Sequence, residues 1–220
     1  ERYAVIDAGT NSIKFHIGER DREGRWRTVV DRAELTRLGE GLAEHGTILD
    51  AAIERAVAAI ADMVDEAKRH GVLAIAAVGT AGLRRARNAN EVLDAIHKRT
   101  GLRVEVISGE EEGRLAYLAA KAGLGLRTGS LVVFDTGGGS SQFTFGHDAI
   151  VDERFSVDVG AVSYTERYRL DRAVSPDVLR EAMAAMSVDL ARIDGRQVPE
   201  ALVAMGGAVT NLTAVRHALA

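Results

Sequence analysis

The sequence predicts an α/β protein made of two similar domains facing a cleft. Three observations lead there. The motif D-x-G-x-x-S is written twice, as Asp7-Ala8-Gly9-Thr10-Asn11-Ser12 and as Asp135-Thr136-Gly137-Gly138-Gly139-Ser140. Each copy follows a short apolar run (Tyr3 to Ile6; Leu131 to Phe134) and precedes a strand-like one (Ile13 to Ile17; Gln142 to Phe145), so each reads as a β-hairpin with a glycine-rich turn. The elements that follow then repeat the order β-β-β-α-β-α, with an extra strand and helix before the second round. A chain of 220 residues, 46% hydrophobic, has material for a core and for one to two domains.

Strands are expected at Tyr3 to Asp7, Ile13 to Gly18 and Arg25 to Glu34, the last two joined by the polar turn Asp21 to Gly24. Gly39 to Gly46 reads as a loop. Thr47 to His70 is a long amphipathic helix, with Ile53, Ala56, Val57, Ile60, Met63, Val64 and Ala67 on one stripe and Gly71 as its stop. The unbroken apolar run Val72 to Val78 predicts a strand buried on both faces. A helix at Asn90 to Arg99, a strand at Leu102 to Ile107 and a helix at Ser108 to Ala122 complete a first domain over residues 1–124.

The glycine-rich seam Gly123 to Gly129 opens a second domain over residues 125–220. It holds the second hairpin, a third strand at Asp148 to Ser156, and helices at Gly160 to Tyr168 and Ser175 to Ile193. A strand at Ala201 to Met205, a Gly206-Gly207 turn and a helix at Val209 to Leu219 follow. This second unit is the shorter and ends on a helix, so its sheet is expected to lack a piece toward the C-terminus.

Composition removes several classes. No cysteine is present, which excludes disulfides, thiolate zinc sites and cysteine nucleophiles and is compatible with a cytoplasmic setting. No run of about 18 uncharged apolar residues occurs to span a membrane, and no signal peptide is visible. The six histidines lack metal-ligand spacing, and the net charge of −4 argues against broad nucleic-acid binding. A polyanionic substrate would therefore need a local basic patch and a metal.

The glycine loops supply the candidate chemistry. Glycines let backbone N–H groups converge on an anion, and an Asp at the end of each strand, Asp7 and Asp135, can hold Mg²⁺ through oxygen. Lys14 lies two residues past Ser12, on the same face of the strand. Arg84, Arg85 and Arg87, with Asn88, follow the strand ending at Val78, where ligands collect in open α/β sheets; guanidinium forks match phosphate oxygens, and Arg84 is the chosen contact. Ser108 and Glu111 have capping-box spacing, so Glu111 is expected to turn back on the Ser108 N–H while Glu110 pairs with Arg114. Sequence spacing assigns Glu112 no such local task, and it could orient a water, although an acidic first turn favoured by the helix dipole reads equally well. Gly206 and Gly207 allow close backbone approach, with Thr210 or Asn211 beside a ligand; a simple tight turn is the equal alternative.

These residues resemble the exopolyphosphatase and guanosine pentaphosphate phosphatase (Ppx/GppA) family, within the actin, sugar-kinase and heat-shock ATPase superfamily. The resemblance rests on A-V-I-D-A-G-T-N-S at Ala4 to Ser12, G-T-A-G-L-R-R-A-R-N at Gly79 to Asn88 and V-I-S-G-E-E-E-G-R at Val106 to Arg114. F-D-T-G-G-G-S-S at Phe134 to Ser141, V-G-A-V-S at Val159 to Ser163 and M-G-G-A-V-T-N-L at Met205 to Leu212 complete it. It implies two ribonuclease H-like (actin-like ATPase) domains, the second incomplete, and Mg²⁺-dependent hydrolysis of phosphoanhydride bonds. The substrates it implies are polyphosphate or guanosine penta- or tetraphosphate, and a homodimer fits the family habit. It makes Glu112 the residue that orients or deprotonates the attacking water, and Asp7 and Asp135 the metal and phosphate carboxylates. The amides of Gly9, Thr10, Asn11, Gly137, Gly138 and Gly139, with Ser12, Ser140, Lys14, Arg84 and Asn88, would then hold phosphoryl oxygens.

One position departs from the family. Where its members usually carry S-T-E, this chain has Ser140-Ser141-Gln142. A carboxamide keeps an acceptor but has no charge and cannot act as a base. A catalytically weak sensor of polyphosphate or alarmone is thus a second reading. An ATP-using kinase of the same superfamily fits the glycine loops but not the S-G-E-E-E helix start.

Overall fold

In the computed structural model, which describes residues 1–126, 129–148 and 150–218, the chain divides into two compact units, Glu1–Ile107 and Ser108–Ala220. The first holds strands β1 (Arg2–Ala8), β2 (Ile13–Arg20) and β3 (Trp26–Glu34), then the helical turn α1 (Leu42–His45) and the long helix α2 (Asp50–Arg69). Strand β4 (Ala74–Gly79), helices α3 (Ala81–Arg85) and α4 (Ala89–Thr100) and the two-residue strand β5 (Glu105–Val106) complete it. Its five-stranded sheet runs β3-β2-β1-β4-β5, with β1 antiparallel to β2 and parallel to β4.

The second unit opens with helix α5 (Gly109–Leu124), followed by β6 (Ser130–Thr136), β7 (Ser141–His147) and β8 (Ile150–Val157). Helices α6 (Ala161–Tyr168) and α7 (Pro176–Leu190), strand β9 (Ala201–Met205) and helix α8 (Gly207–His217) follow. The sheet order β8-β7-β6-β9 reproduces β3-β2-β1-β4, with no counterpart of β5 among the described residues. Leu219 and the middle of the glycine-rich seam, Arg127 and Thr128, lie outside the described residues.

Alternation along the strands sorts side chains by face. Ala4, Ile6, Ala8, Ile13, Phe15 and Ile17 are all but inaccessible and pack with Ile60, Met63 and Ile96 of α2 and α4. The opposite face is more open, and β4 corrects the expectation of burial on both sides: Ala74 and Ala76 are exposed. An apolar run of small residues does not distinguish two covered faces from one. The predicted strand Leu102 to Ile107 shrinks to Glu105–Val106, pairing only Val78 and Gly79.

Helix α5 also moves. Its Ala116, Tyr117 and Ala120 pack against Leu131 and Val133 of β6, so the contact boundary falls at Ile107 rather than at residue 124. On the other face of this sheet Phe134, Phe143, Phe155 and Phe145 stack in sequence, with centroids 4.8, 5.4 and 5.9 Å apart. The Arg192 and Arg196 guanidinium groups lie 4.1 and 4.4 Å over Phe155 and Phe145, and Glu153 pairs with Arg196. No helix among the described residues is long and apolar enough to cross a membrane.

Candidate functional site

The first glycine loop is carried by the β1–β2 hairpin, whose register sets Asp7 opposite Lys14. Lys14 Nζ lies 3.6 Å from Asp7 Oδ2, while Asp7 Oδ1 is buried without a hydrogen-bond partner among the described residues. Burial pushes the Asp7 carboxyl above its ordinary range, and the Lys14 ammonium opposes that shift. An orphaned anionic oxygen at a strand end calls for a cation or a donor from a ligand.

The loop's peptide planes are fixed from behind. The Gly39 N–H donates to Thr10 O at 2.7 Å and the Arg37 N–H to Asn11 O at 2.8 Å. No peptide bond among the described residues is cis, and in a planar trans peptide the C=O and N–H point opposite ways. The N–H groups of Asn11 and Ser12 are therefore turned away from the Arg37 to Gly39 segment. The Thr10 side chain is nearly buried between two glycines: a Cβ on Gly39 would sit 2.3 Å from Thr10 Cγ2, and one on Gly82 would sit 3.3 Å from Thr10 Oγ1.

The second loop has the same plan with a different buttress. The Gly137 N–H donates to Ser140 O at 3.0 Å, closing the turn. Behind it stands the start of α6. The Ala161 N–H donates to Gly137 O at 3.0 Å, and the Val162 and Ser163 N–H groups donate to Gly138 O at 2.8 and 3.1 Å. By the same trans geometry, the N–H groups of Gly138 and Gly139 face away from α6. Gly160 permits this contact, since a Cβ there would stand 2.5 Å from Gly138 O. Gly206, at φ 95°, presses the start of α8 on the same strand end: its Cβ would lie 2.1 Å from Thr136 O. Gly207 has open space about it, and the Thr210 hydroxyl donates back to Gly206 O at 3.1 Å.

Register sets Asp135 opposite Gln142, the counterpart of Asp7 and Lys14. Gln142 is 2% exposed, and its Nε2 donates to Ser140 Oγ, also buried, at 2.7 Å. The neighbouring Ser141 hydroxyl donates to Val159 O at 2.6 Å, tying β7 to the approach to α6.

Glu112 sits in the first turn of α5, which Ser108 caps by accepting from the Glu111 N–H at 3.1 Å. The cap was legible in the sequence, but the charge pairing corrects the expectation. Glu111 forms a two-pronged bond with Arg114, at 2.8 and 2.6 Å, instead of turning back on Ser108. Arg114 therefore pairs with Glu111 and not with Glu110; both are on one side of the helix, and the fork geometry favours the nearer carboxylate. Next to Glu112, Gly113 lets the helix lie on β7: a Cβ there would approach Thr144 Oγ1 to 2.7 Å and Gln142 Cβ to 3.6 Å. Backbone contact of this kind fixes the height of Glu112 above the strand bearing Gln142.

The basic segment splits. Arg84, in the five-residue α3, donates from Nη1 to Ile107 O at 2.9 Å. Arg87 donates to His45 O at 2.8 Å. Asn88 is committed to the backbone: its Oδ1 accepts from Ile48 N–H at 2.8 Å and its Nδ2 donates to Ile48 O at 2.9 Å. That bonding makes Asn88 a staple that ties the start of α4 to the approach to α2. Residues that sequence reasoning left without a role, Gly39, Gly82, Gly113 and Gly160, all serve close backbone approach. Their signal was an isolated glycine at the edge or interior of an element. Among the described residues, no cluster of three or more His, Cys, Asp or Glu could hold a metal alone.

Comparison with known proteins bears on the family and the fold. The sequence pattern of the Ppx/GppA phosphatase family matches residues 19–217. Exopolyphosphatase 2 of Mycobacterium tuberculosis is 30% identical over 99% of the chain and 72% of its own length. The crystal structure of the Aquifex aeolicus Ppx/GppA family member, 30% identical, superposes with a TM-score of 0.79 over 99% of this chain and 70% of that one. ADP-bound MreB5 of Spiroplasma citri, at 12% identity and a TM-score of 0.51, shares the fold alone. The chain spans about half the length, 49% and 50%, of the first curated relatives it matches.

Proposed function

The chain belongs to the Ppx/GppA phosphatase family, and from that premise we propose that it is a phosphohydrolase cleaving the terminal phosphoanhydride bond of inorganic polyphosphate, of guanosine pentaphosphate, or of both. The observation that carries the reading is the repeated loop: each unit ends a strand in an aspartate and turns two consecutive backbone N–H groups away from its buttress. Such rows of N–H groups are suited to phosphoryl oxygens, and phosphoryl transfer depends chiefly on positioning and charge neutralisation.

In this mechanism the Asn11, Ser12, Gly138 and Gly139 amides and the Lys14 and Arg84 side chains bind and orient phosphoryl oxygens. Glu112 holds a water and accepts its proton as the water oxygen bonds to the terminal phosphorus and the bridging P–O bond breaks. The shortened phosphate chain leaves as the other product. Magnesium fits the donor set: Asp7 offers a buried carboxylate oxygen that lacks a partner among the described residues, and Mg²⁺ typically takes one or two carboxylates with phosphate oxygens and water. Asp7 would offer its carboxylate to it in the first unit and Asp135 in the second, and when bound it would neutralise phosphate charge.

The test is phosphate release from tripolyphosphate, long-chain polyphosphate and guanosine pentaphosphate, with and without Mg²⁺, for wild type and Glu112→Gln. A loss of 10²-fold or more, of order the usual contribution of a positioned base, is expected for the variant. Undiminished turnover would refute the role of Glu112. One observation, the neutral Gln142 beside Ser140, favours a sensor as the second reading; it requires tight binding with negligible hydrolysis in the wild type.

A further inference from the structure

The buried bond between Gln142 and Ser140 assigns a task to the residue that departs from the family, and the inference rests on the phosphate-binding reading above. A serine hydroxyl has one proton and two lone pairs. Here Gln142 Nε2 donates to Ser140 Oγ at 2.7 Å, with both residues buried. One lone pair of Ser140 is thereby used, and its proton is not consumed by residue 142. An ionised carboxylate at 142 would do the reverse: having no proton, it would take the serine's and leave only lone pairs for a ligand. The loop itself supplies the direction. Ser140 closes the turn through its own carbonyl, which accepts from the Gly137 N–H at 3.0 Å, and the adjacent Gly138 and Gly139 N–H groups face away from α6.

We infer that Gln142 is a positioning residue that fixes Ser140 as a hydroxyl donor, making the second loop a site for the oxygens of a fully ionised phosphoryl group. A neutral carboxamide also spares a polyanion the repulsion of a second carboxylate beside Asp135, its cross-strand neighbour. Substrate affinity, rather than the chemical step, is the quantity Gln142 sets. Gly113 of α5 lies near the same side chain: a Cβ added to it would stand 3.6 Å from Gln142 Cβ.

The experiment is steady-state phosphate release from tripolyphosphate at fixed Mg²⁺, with calorimetric tripolyphosphate binding, for wild type, Gln142→Glu, Ser140→Ala and the double variant. Gln142→Glu should raise KM and weaken binding about tenfold, the scale of one charge-assisted hydrogen bond, with kcat changed far less. Ser140→Ala should cost as much in the wild-type background and nothing further in the Gln142→Glu background, because the two act through one hydroxyl. If Gln142→Glu does not fold, Gln142→Met reads the same coupling: Ser140→Ala must then cost less than in the wild type. Equal or tighter binding by Gln142→Glu, faster turnover at low substrate, or simple additivity would overturn the inference while leaving the phosphohydrolase reading intact. A wild type that neither binds nor hydrolyses any phosphoanhydride would overturn both.

Discussion

The two glycine loops share a motif and a hairpin, yet they are supported and charged differently. In the first, the carbonyls of Thr10 and Asn11 are held by a loop, through Arg37 and Gly39. In the second, the carbonyls of Gly137 and Gly138 are held by the start of helix α6. The residue opposite the aspartate is a lysine in the first and a glutamine in the second. The cross-strand neighbour of the first carboxylate is thus a cation, while that of Asp135 is a neutral amide that serves a serine. The lesson is that D-x-G-x-x-S specifies the turn and its carboxylate, while the direction of the amides comes from whichever element takes up the loop's carbonyls.

The difference in buttress can be broken directly. Gly160→Ala places a methyl 2.5 Å from Gly138 O, a backbone atom that cannot swing aside. Gly39→Ala clashes with the Thr10 Cγ2 methyl, at 2.3 Å, and meets Thr10 O at an ordinary contact distance of 3.4 Å. Gly160→Ala should therefore destabilise the second unit by about 1–3 kcal/mol, the usual cost of overpacking, and should not be rescued by any single side-chain truncation. Gly39→Ala should cost less and recover on Thr10→Ser. Urea unfolding of the four proteins checks this; equal costs, or no rescue, would mean the two buttresses are equivalent.

The same contrast explains what was legible in the sequence. The loops, the hairpins, the strand Ala201–Met205 and the Ser108 cap were readable because each is set by residues within a few positions of one another. The buttress glycines were not, since Gly39 and Gly160 matter only through carbonyls far off in the chain. Helix α5 shows the same limit. Its apolar stripe identifies a buried face, but periodicity does not say which sheet receives it. Asn88 drew notice because it is polar near a strand end, and only the fold reveals its two bonds to the Ile48 backbone.

Electrostatics offers smaller tests. Lys14→Gln makes the first loop resemble the second and removes the cation opposing the raised Asp7 carboxyl. The pair is partly solvated, so the loss at neutral pH should be roughly 0.5 kcal/mol. It should vanish in acid, where Asp7 is protonated with or without Lys14; a loss that persists there would assign it to packing.

Smallest is the effect at His147, confined to the second unit, whose Nδ1 lies 2.9 Å from Asp152 Oδ2. That bond raises the imidazole above its ordinary 6.5. A histidine held protonated in the fold stabilises fully below 6.5, and the benefit fades as pH rises through the raised value. His147→Gln should flatten the thermal midpoint between those limits and leave it unchanged well above them. A midpoint profile identical to the wild type would remove the pair from the account.

Anion binding by both loops is tested most directly by calorimetric titration of tripolyphosphate with Mg²⁺ into Glu112→Gln protein, where turnover does not interfere. Two further variants on that background, Gly9→Ala, whose methyl would stand 2.7 Å from Ser12 O, and Gly160→Ala each distort one loop. Each is predicted to weaken binding by about tenfold or more, a loss of roughly 1.4 kcal/mol, while both proteins remain folded by circular dichroism. Affinity unchanged by the distortion of either loop would contradict the assignment of that loop to phosphate.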